Sequence, residues 1–238
     1  MPNATVAVRE RGIIMQAESV LATLDGRKTQ TRRIVKLKPW MARDAMTRDA
    51  AWADPGIGAG GYLKVPRGQD NTAHRLYCPY GAVGDRLWVR ETAWFDREMM
   101  PLLGYLRCFF EGGDVRHEGD PTTAKAPGLP GSHVASVFNL NTALVRRSSI
   151  FMPRWASRLT LQITGLRVER LQAISDADTL AEGVRSHTTS DDTATGAASR
   201  RQVYRNLWDS LNAKRGYGWD ANPWVWVIGY RRLTGEVA

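Results

Sequence analysis

The sequence predicts an α+β fold, a small β-barrel with flanking helices, opened by two long insertions. Three observations point to it. Strand-like alternation recurs in several well-spaced segments and few helical patterns accompany it; the last strand is apolar on both faces; two long stretches between the regular blocks lose all periodicity. The barrel core is expected at about 11–35, 82–95 and 150–235 of one domain spanning 1–238, with the insertions at about 36–80 and 96–149.

In chain order, Ile13 to Gln16 reads as a short strand. Ala17, Val20, Leu21 and Leu24 then fall at i, i+3, i+4 and i+7, the stripe of an amphipathic helix. Gly26 supplies a left-handed residue to end it. Thr29 to Val35 is β-branched and alternating, hence a strand, so Lys28 and Thr31 sit where a helix hands over to a strand. The first insertion carries Arg43, Arg48, Lys64, Arg67 and Arg75, a basic set suited either to a phosphate backbone or to a solvated surface. Gly84-Asp85 marks a turn into the strand Arg86 to Glu91. Residues 111–136 read as loop. Leu159, Leu161 and Ile163 alternate with Thr160, Gln162 and Thr164 in a half-buried strand whose apolar pattern continues through Val168 to Leu171. Ser175 is a good N-cap for a helix from Asp176 to about Glu182, closed by Gly183. After a polar tract, Ser186 to Ser199, a helix from about Arg200 to Ala213 is expected to bury Val203, Leu207, Trp208 and Leu211. Trp224 to Tyr230 reads as a central strand, and Trp224 and Trp226 as core.

A net charge of +9 points to a polyanionic partner. Arginine supplies 27 of the 33 basic residues, and its planar fork suits phosphates and bases, although a GC-rich genome produces the same bias. Cys78 and Cys108 lie in contexts without metal-ligand spacing, which points to reduced structural thiols, and no metal or cofactor is implied. No apolar run approaches the ~18 residues of a membrane span, and the N-terminus lacks the apolar core of a signal peptide. A cytoplasmic protein without membrane contact is expected.

Four segments in order resemble the ASCH family, whose members have a PUA-like β-barrel. They are Gly26 to Arg33 (Gly-Arg-Lys-Thr-Gln-Thr-Arg-Arg), Gly84 to Val89 (Gly-Asp-Arg-Leu-Trp-Val), Ala181 to Gly183 (Ala-Glu-Gly) and the terminal strand Val225 to Leu233. The resemblance covers just under half of the chain. It is closer to the larger phage and prophage members, which carry the segments found here as Cys78 to Gly81, Met152 to Arg158 and Trp219 to Val227. The resemblance implies binding of RNA, DNA or a modified nucleoside across a cleft of the barrel. It also implies, from small bacterial members, an amidohydrolase that removes the acetyl group of N4-acetylcytidine with a lysine, a threonine and a glutamate. By motif these fall on Lys28, Thr31 and Glu182.

Amide hydrolysis needs a nucleophile, a base and a group that holds the developing oxyanion. Thr31 can attack the carbonyl if an adjacent base takes its proton. Either Lys28 rests neutral and is that base, which burial and the neighbouring Arg27, Arg32 and Arg33 favour, or Glu182 is the base and Lys28 an electrostatic clamp. The alternative to both is a structural Lys28–Glu182 ion pair and an ordinary strand threonine. Arg27, Arg32 and Arg33 suit phosphate or base contacts. Arg154-Trp155 pairs a cation with an aromatic face and suits base stacking, while Trp155 fits a core equally well. A non-catalytic RNA- or DNA-binding module is the competing function. A nuclease is disfavoured, because no carboxylate cluster stands out.

Overall fold

In the computed structural model, residues 8–39, 51–53, 62–67, 72–96, 107–110, 115–117, 144–184 and 194–233 are described. Three sheets form from the alternating segments. The largest has five strands: β1 (Glu10–Ile14), β6 (Arg86–Arg90), β11 (Thr160–Arg170), β12 (Trp224–Leu233) and β2 (Gln30–Ile34), in the order β1-β6-β11-β12-β2. The doubly apolar β12 lies inside this sheet, as its pattern requires. The edges are β1 and β2, so among the described residues the sheet is open and does not close into a barrel. Next to β2 the chain meets a helix end instead of another strand, with Thr29 N donating to Ala181 O at 2.9 Å.

The first insertion carries strands. Ala51–Ala53 (β3), Tyr62–Arg67 (β4) and Thr72–Tyr77 (β5) form a three-stranded sheet, where the sequence reading expects none. Four strands, β7 (Ala93–Asp96), β8 (Arg107–Phe109), β9 (Val115–His117) and β10 (Leu144–Arg147), form the third sheet, in the order β10-β7-β8-β9. Of the loop expected at 111–136, Val115–His117 is the strand β9 and the rest lies outside the described residues, as do residues 186–193 of the polar tract.

The helices are α1 (Ala17–Leu24), α2 (Asp176–Ala181) and α3 (Ala194–Asn212). Helix α3 starts earlier than expected; of the four residues expected inside, Trp208 is buried and Val203 packs against the core, whereas Leu207 and Leu211 are turned outward. Tyr204 and Trp208 are buried, whereas Leu207 and Leu211 are 40% and 41% exposed. The buried stripe runs through Arg200, Tyr204, Trp208 and Asn212, and its polar members hid it from an apolar count.

The chain divides into two compact units. The first comprises Met1–Arg9, Asp25–Arg86 and Gln162–Arg231, and its core packs Leu171, Ile174, Tyr204, Trp208 and Trp219 on Val225 and Val227 of β12. The second comprises Glu10–Leu24, Leu87–Leu161 and Arg232–Ala238, with Phe95, Phe110, Met152 and Ala156 at its centre. No helix among the described residues is long and apolar enough to cross a membrane.

Candidate functional site

The site lies in the first unit, where β2 meets α2. Gly26, at φ +75°, ends the turn after α1 in the left-handed conformation and directs the chain into β2. Helix α2 opens on a capping box: Ser175 Oγ accepts from Asp178 N at 3.1 Å, and the Asp178 carboxylate accepts from Ser175 N at 3.3 Å. It closes at Gly183, φ +81°, whose N–H donates to Leu180 O at 2.8 Å. Those two ends fix Glu182 beside Lys28, and the two residues form an isolated antiparallel bridge.

The side chains complete the pairing. Lys28 Nζ donates to Glu182 Oε2 at 2.6 Å and to the Glu182 carbonyl at 2.9 Å. Arg32 Nη1 donates to Glu182 Oε1 at 3.1 Å, so both carboxylate oxygens are held by cations. The other guanidinium nitrogen, Arg32 Nη2, reaches Glu169 Oε1 at 2.5 Å and Asp178 Oδ2 at 3.0 Å. Arg167 closes the outer rim on Glu169 at 3.0 Å and Asp178 at 2.8 Å, and Gln30 Nε2 donates to Asp178 at 3.1 Å. Three cations thus face three carboxylates in a neutral, branched network.

Burial opposes the charge of Arg32, yet Glu182, Tyr204 and Glu169 together hold its guanidinium above its usual pKa. Burial likewise pushes Asp178 up, but hydrogen bonds from Arg167, Gln30 and Ser175 and the charge of Arg32 prevail and hold it well below the usual carboxylate range. The Tyr204 phenol, against this cluster, is raised by burial and then by Glu182. Arg32 Nε is buried and finds no acceptor among the described residues. Such a donor costs about 1–3 kcal/mol until an acceptor reaches it.

Thr31 is placed elsewhere. Along β2, side chains alternate between the two faces of the sheet. Gln30 and Arg32 point to the α2 carboxylates and Ile34 packs on the helix-side core, so Thr31 and Arg33 occupy the opposite face. In register, Thr31 pairs with Ile228 and Arg33 with Trp226. Thr31 is buried there, and Arg33 sits 6.0 Å from the Tyr80 ring. The structure therefore brings Lys28, Glu182 and Arg32 together and sets the candidate nucleophile across the strand from them.

The remaining expected contacts are committed to protein partners. Arg27 pairs with Asp25 at 2.8 Å and donates to Gly183 O at 3.4 Å. In the second unit, Arg154 pairs with Glu10 at 2.6 Å and lies 5.9 Å from the Trp88 ring centre, while Trp155 meets Phe95 edge-on at 6.0 Å. Trp155 thus packs at the rim of that unit's core. Sequence reasoning missed Glu169, Asp178, Arg167 and Gln30. The available signal was alternation: Gln30 shares a strand face with Arg32, and Arg167 with Glu169. Among the described residues no group of His, Cys, Asp or Glu is arranged to hold a metal ion.

No known protein family, no curated protein and no solved structure matches the chain.

Proposed function

We propose that the protein is an ASCH-type, PUA-like module that binds nucleic acid or a modified nucleoside, with the Lys28–Glu182–Arg32 cluster as the anchor of its site. One observation carries this reading. Lys28 and Glu182, 154 positions apart, meet in a buried hydrogen bond at the pair of motifs that the ASCH resemblance selects. The net charge of +9 supports a polyanionic partner, and the Arg32 Nε donor is a buried polar group that a ligand or water acceptor would satisfy.

Binding is favoured over hydrolysis by position. A threonine nucleophile needs its base within hydrogen-bond reach, about 2.6–3.2 Å. Thr31 faces the other side of β2 from the Lys28–Glu182 pair, and both oxygens of Glu182 are engaged. The deciding assay measures acetate release from N4-acetylcytidine and from acetylated RNA, beside oligonucleotide binding over a range of salt. We expect no acetate above background and binding that weakens steeply with salt. Turnover by the wild type that is abolished by both Lys28→Ala and Thr31→Ala would overturn the non-catalytic reading and establish the amidohydrolase.

A further inference from the structure

The hairpin β4–β5 in the first insertion has two unlike faces. Register pairs Tyr62 with Tyr77, Leu63 with Leu76, Lys64 with Arg75 and Val65 with His74. Leu63 and Val65 are fully buried, which fixes the inner face. Alternation then puts Tyr62, Lys64, Arg75 and Tyr77 together on the outer one. Tyr77 is 56% exposed, and Lys64 and Arg75 are exposed. The rings of Tyr62 and Tyr77 stand 5.5 Å apart, tilted by 56°, and the Arg75 guanidinium lies 5.1 Å from the centre of Tyr62. Tyr62 is thus braced on two sides, and Tyr77 is the ring that remains open to solvent.

The two cations on this face have no carboxylate against them among the described residues. By contrast, the partly exposed Arg27, Arg154 and Arg205 pair with Asp25, Glu10 and Asp220. Lys64 and Arg75 sit directly opposite each other as like charges, an arrangement that works against the hairpin. Neither makes an ion pair among the described residues. An exposed aromatic ring flanked by two uncompensated cations on a sheet face matches the chemistry of a base stacked over a ring with its phosphates held alongside.

We infer that the outer face of β4–β5 is a docking platform for single-stranded nucleic acid, with a base stacked on Tyr77 and adjacent phosphates on Lys64 and Arg75. The inference rests on the nucleic-acid reading above and adds to it a binding surface outside the Lys28–Glu182–Arg32 cluster. Duplex is a poor occupant, because its bases are stacked on one another and unavailable to Tyr77.

Fluorescence anisotropy of a fluorescein-labelled single-stranded oligoribonucleotide, and of its deoxy counterpart, tests the platform. The wild type, Tyr77→Ala, Tyr77→Phe and the double variant Lys64→Gln/Arg75→Gln are compared, with thermal unfolding of each as the check on folding. Tyr77→Ala should weaken binding roughly tenfold, and Tyr77→Phe should stay near wild type because the ring face is kept. The double variant should flatten the dependence of log K on log salt by about 1.4, roughly 0.7 per charge removed. Equal effects on both strands assign the contact to base and phosphate; an effect confined to RNA adds the 2′-hydroxyl. If the wild type binds and the folded variants bind equally well, or duplex binds as tightly as single strand, the platform is overturned while the nucleic-acid reading stands. If the wild type binds neither strand, the nucleic-acid reading falls and the platform with it.

Discussion

Each unit buries a charge cluster, and the two are built on opposite plans. In the second unit Arg158 and Glu91 form a closed fork, Nε to Oε1 at 2.9 Å and Nη2 to Oε2 at 2.8 Å, at 2% and 1% side-chain exposure. The Phe110 ring stands 4.7 Å from the guanidinium carbon. In the first unit, Lys28, Arg32 and Arg167 share Glu182, Glu169 and Asp178, and exposure grades from 0% at Arg32 to 42% at Arg167. The closed fork is a structural staple: two parallel hydrogen bonds fix one geometry and exclude water. The open network keeps a donor without an acceptor and reaches solvent at its rim, which suits a ligand site. The difference teaches that two buried charge clusters can differ in how fully their hydrogen bonds are closed, which burial alone does not reveal.

That contrast can be broken at three points. Arg158→Met should have the largest effect, about 3–5 kcal/mol of stability, because it strands Glu91 in the core without its main cation. Urea unfolding measures it, and oligonucleotide affinity per folded molecule should not change. Lys28→Met should lower stability less, by about 1–3 kcal/mol, because Glu182 keeps Arg32. A loss as large as that of Arg158→Met would mean that the first cluster is also a staple. Asp178→Asn should have the smallest effect, about 1 kcal/mol at neutral pH. Its folded-state pKa is depressed, so its contribution is complete above the unfolded value of about 3.9 and is lost as pH falls below it. The gap between wild type and Asp178→Asn should therefore narrow on acidification below about pH 4. A constant gap down to the acid transition would remove Asp178 from the charge balance of the network.

Local physics made much of this molecule readable. The stripe of α1 gave its limits, Ala17–Leu24, and the two-faced apolar run of β12 placed it inside its sheet. Ser175 and Gly183 announced the ends of α2, and motif order paired Lys28 with Glu182. Contacts between distant segments were not readable. Arg32 resembles a surface arginine until Glu169 and Glu182, 137 and 150 positions away, surround it. The β4–β5 hairpin is local, but Pro66 interrupts the pattern of one strand, the other has little apolar alternation, and glycine-rich sequence precedes it. Thr31 is the instructive case. The motif groups it with Lys28, but Arg32 beside it faces Glu182, and neighbours along a strand face apart.

Asp178 serves two constructions with one carboxylate. It completes the capping box that starts α2, and it gathers Gln30, Arg32 and Arg167. The helix start and the charged floor therefore share a keystone, and neither can be altered independently through this residue. A force that draws Arg32 outward also tugs on the first turn of α2, and fraying of that turn in turn unseats the guanidinium. The seating of Arg32 and the order of this six-residue helix thus become a single thermodynamic variable.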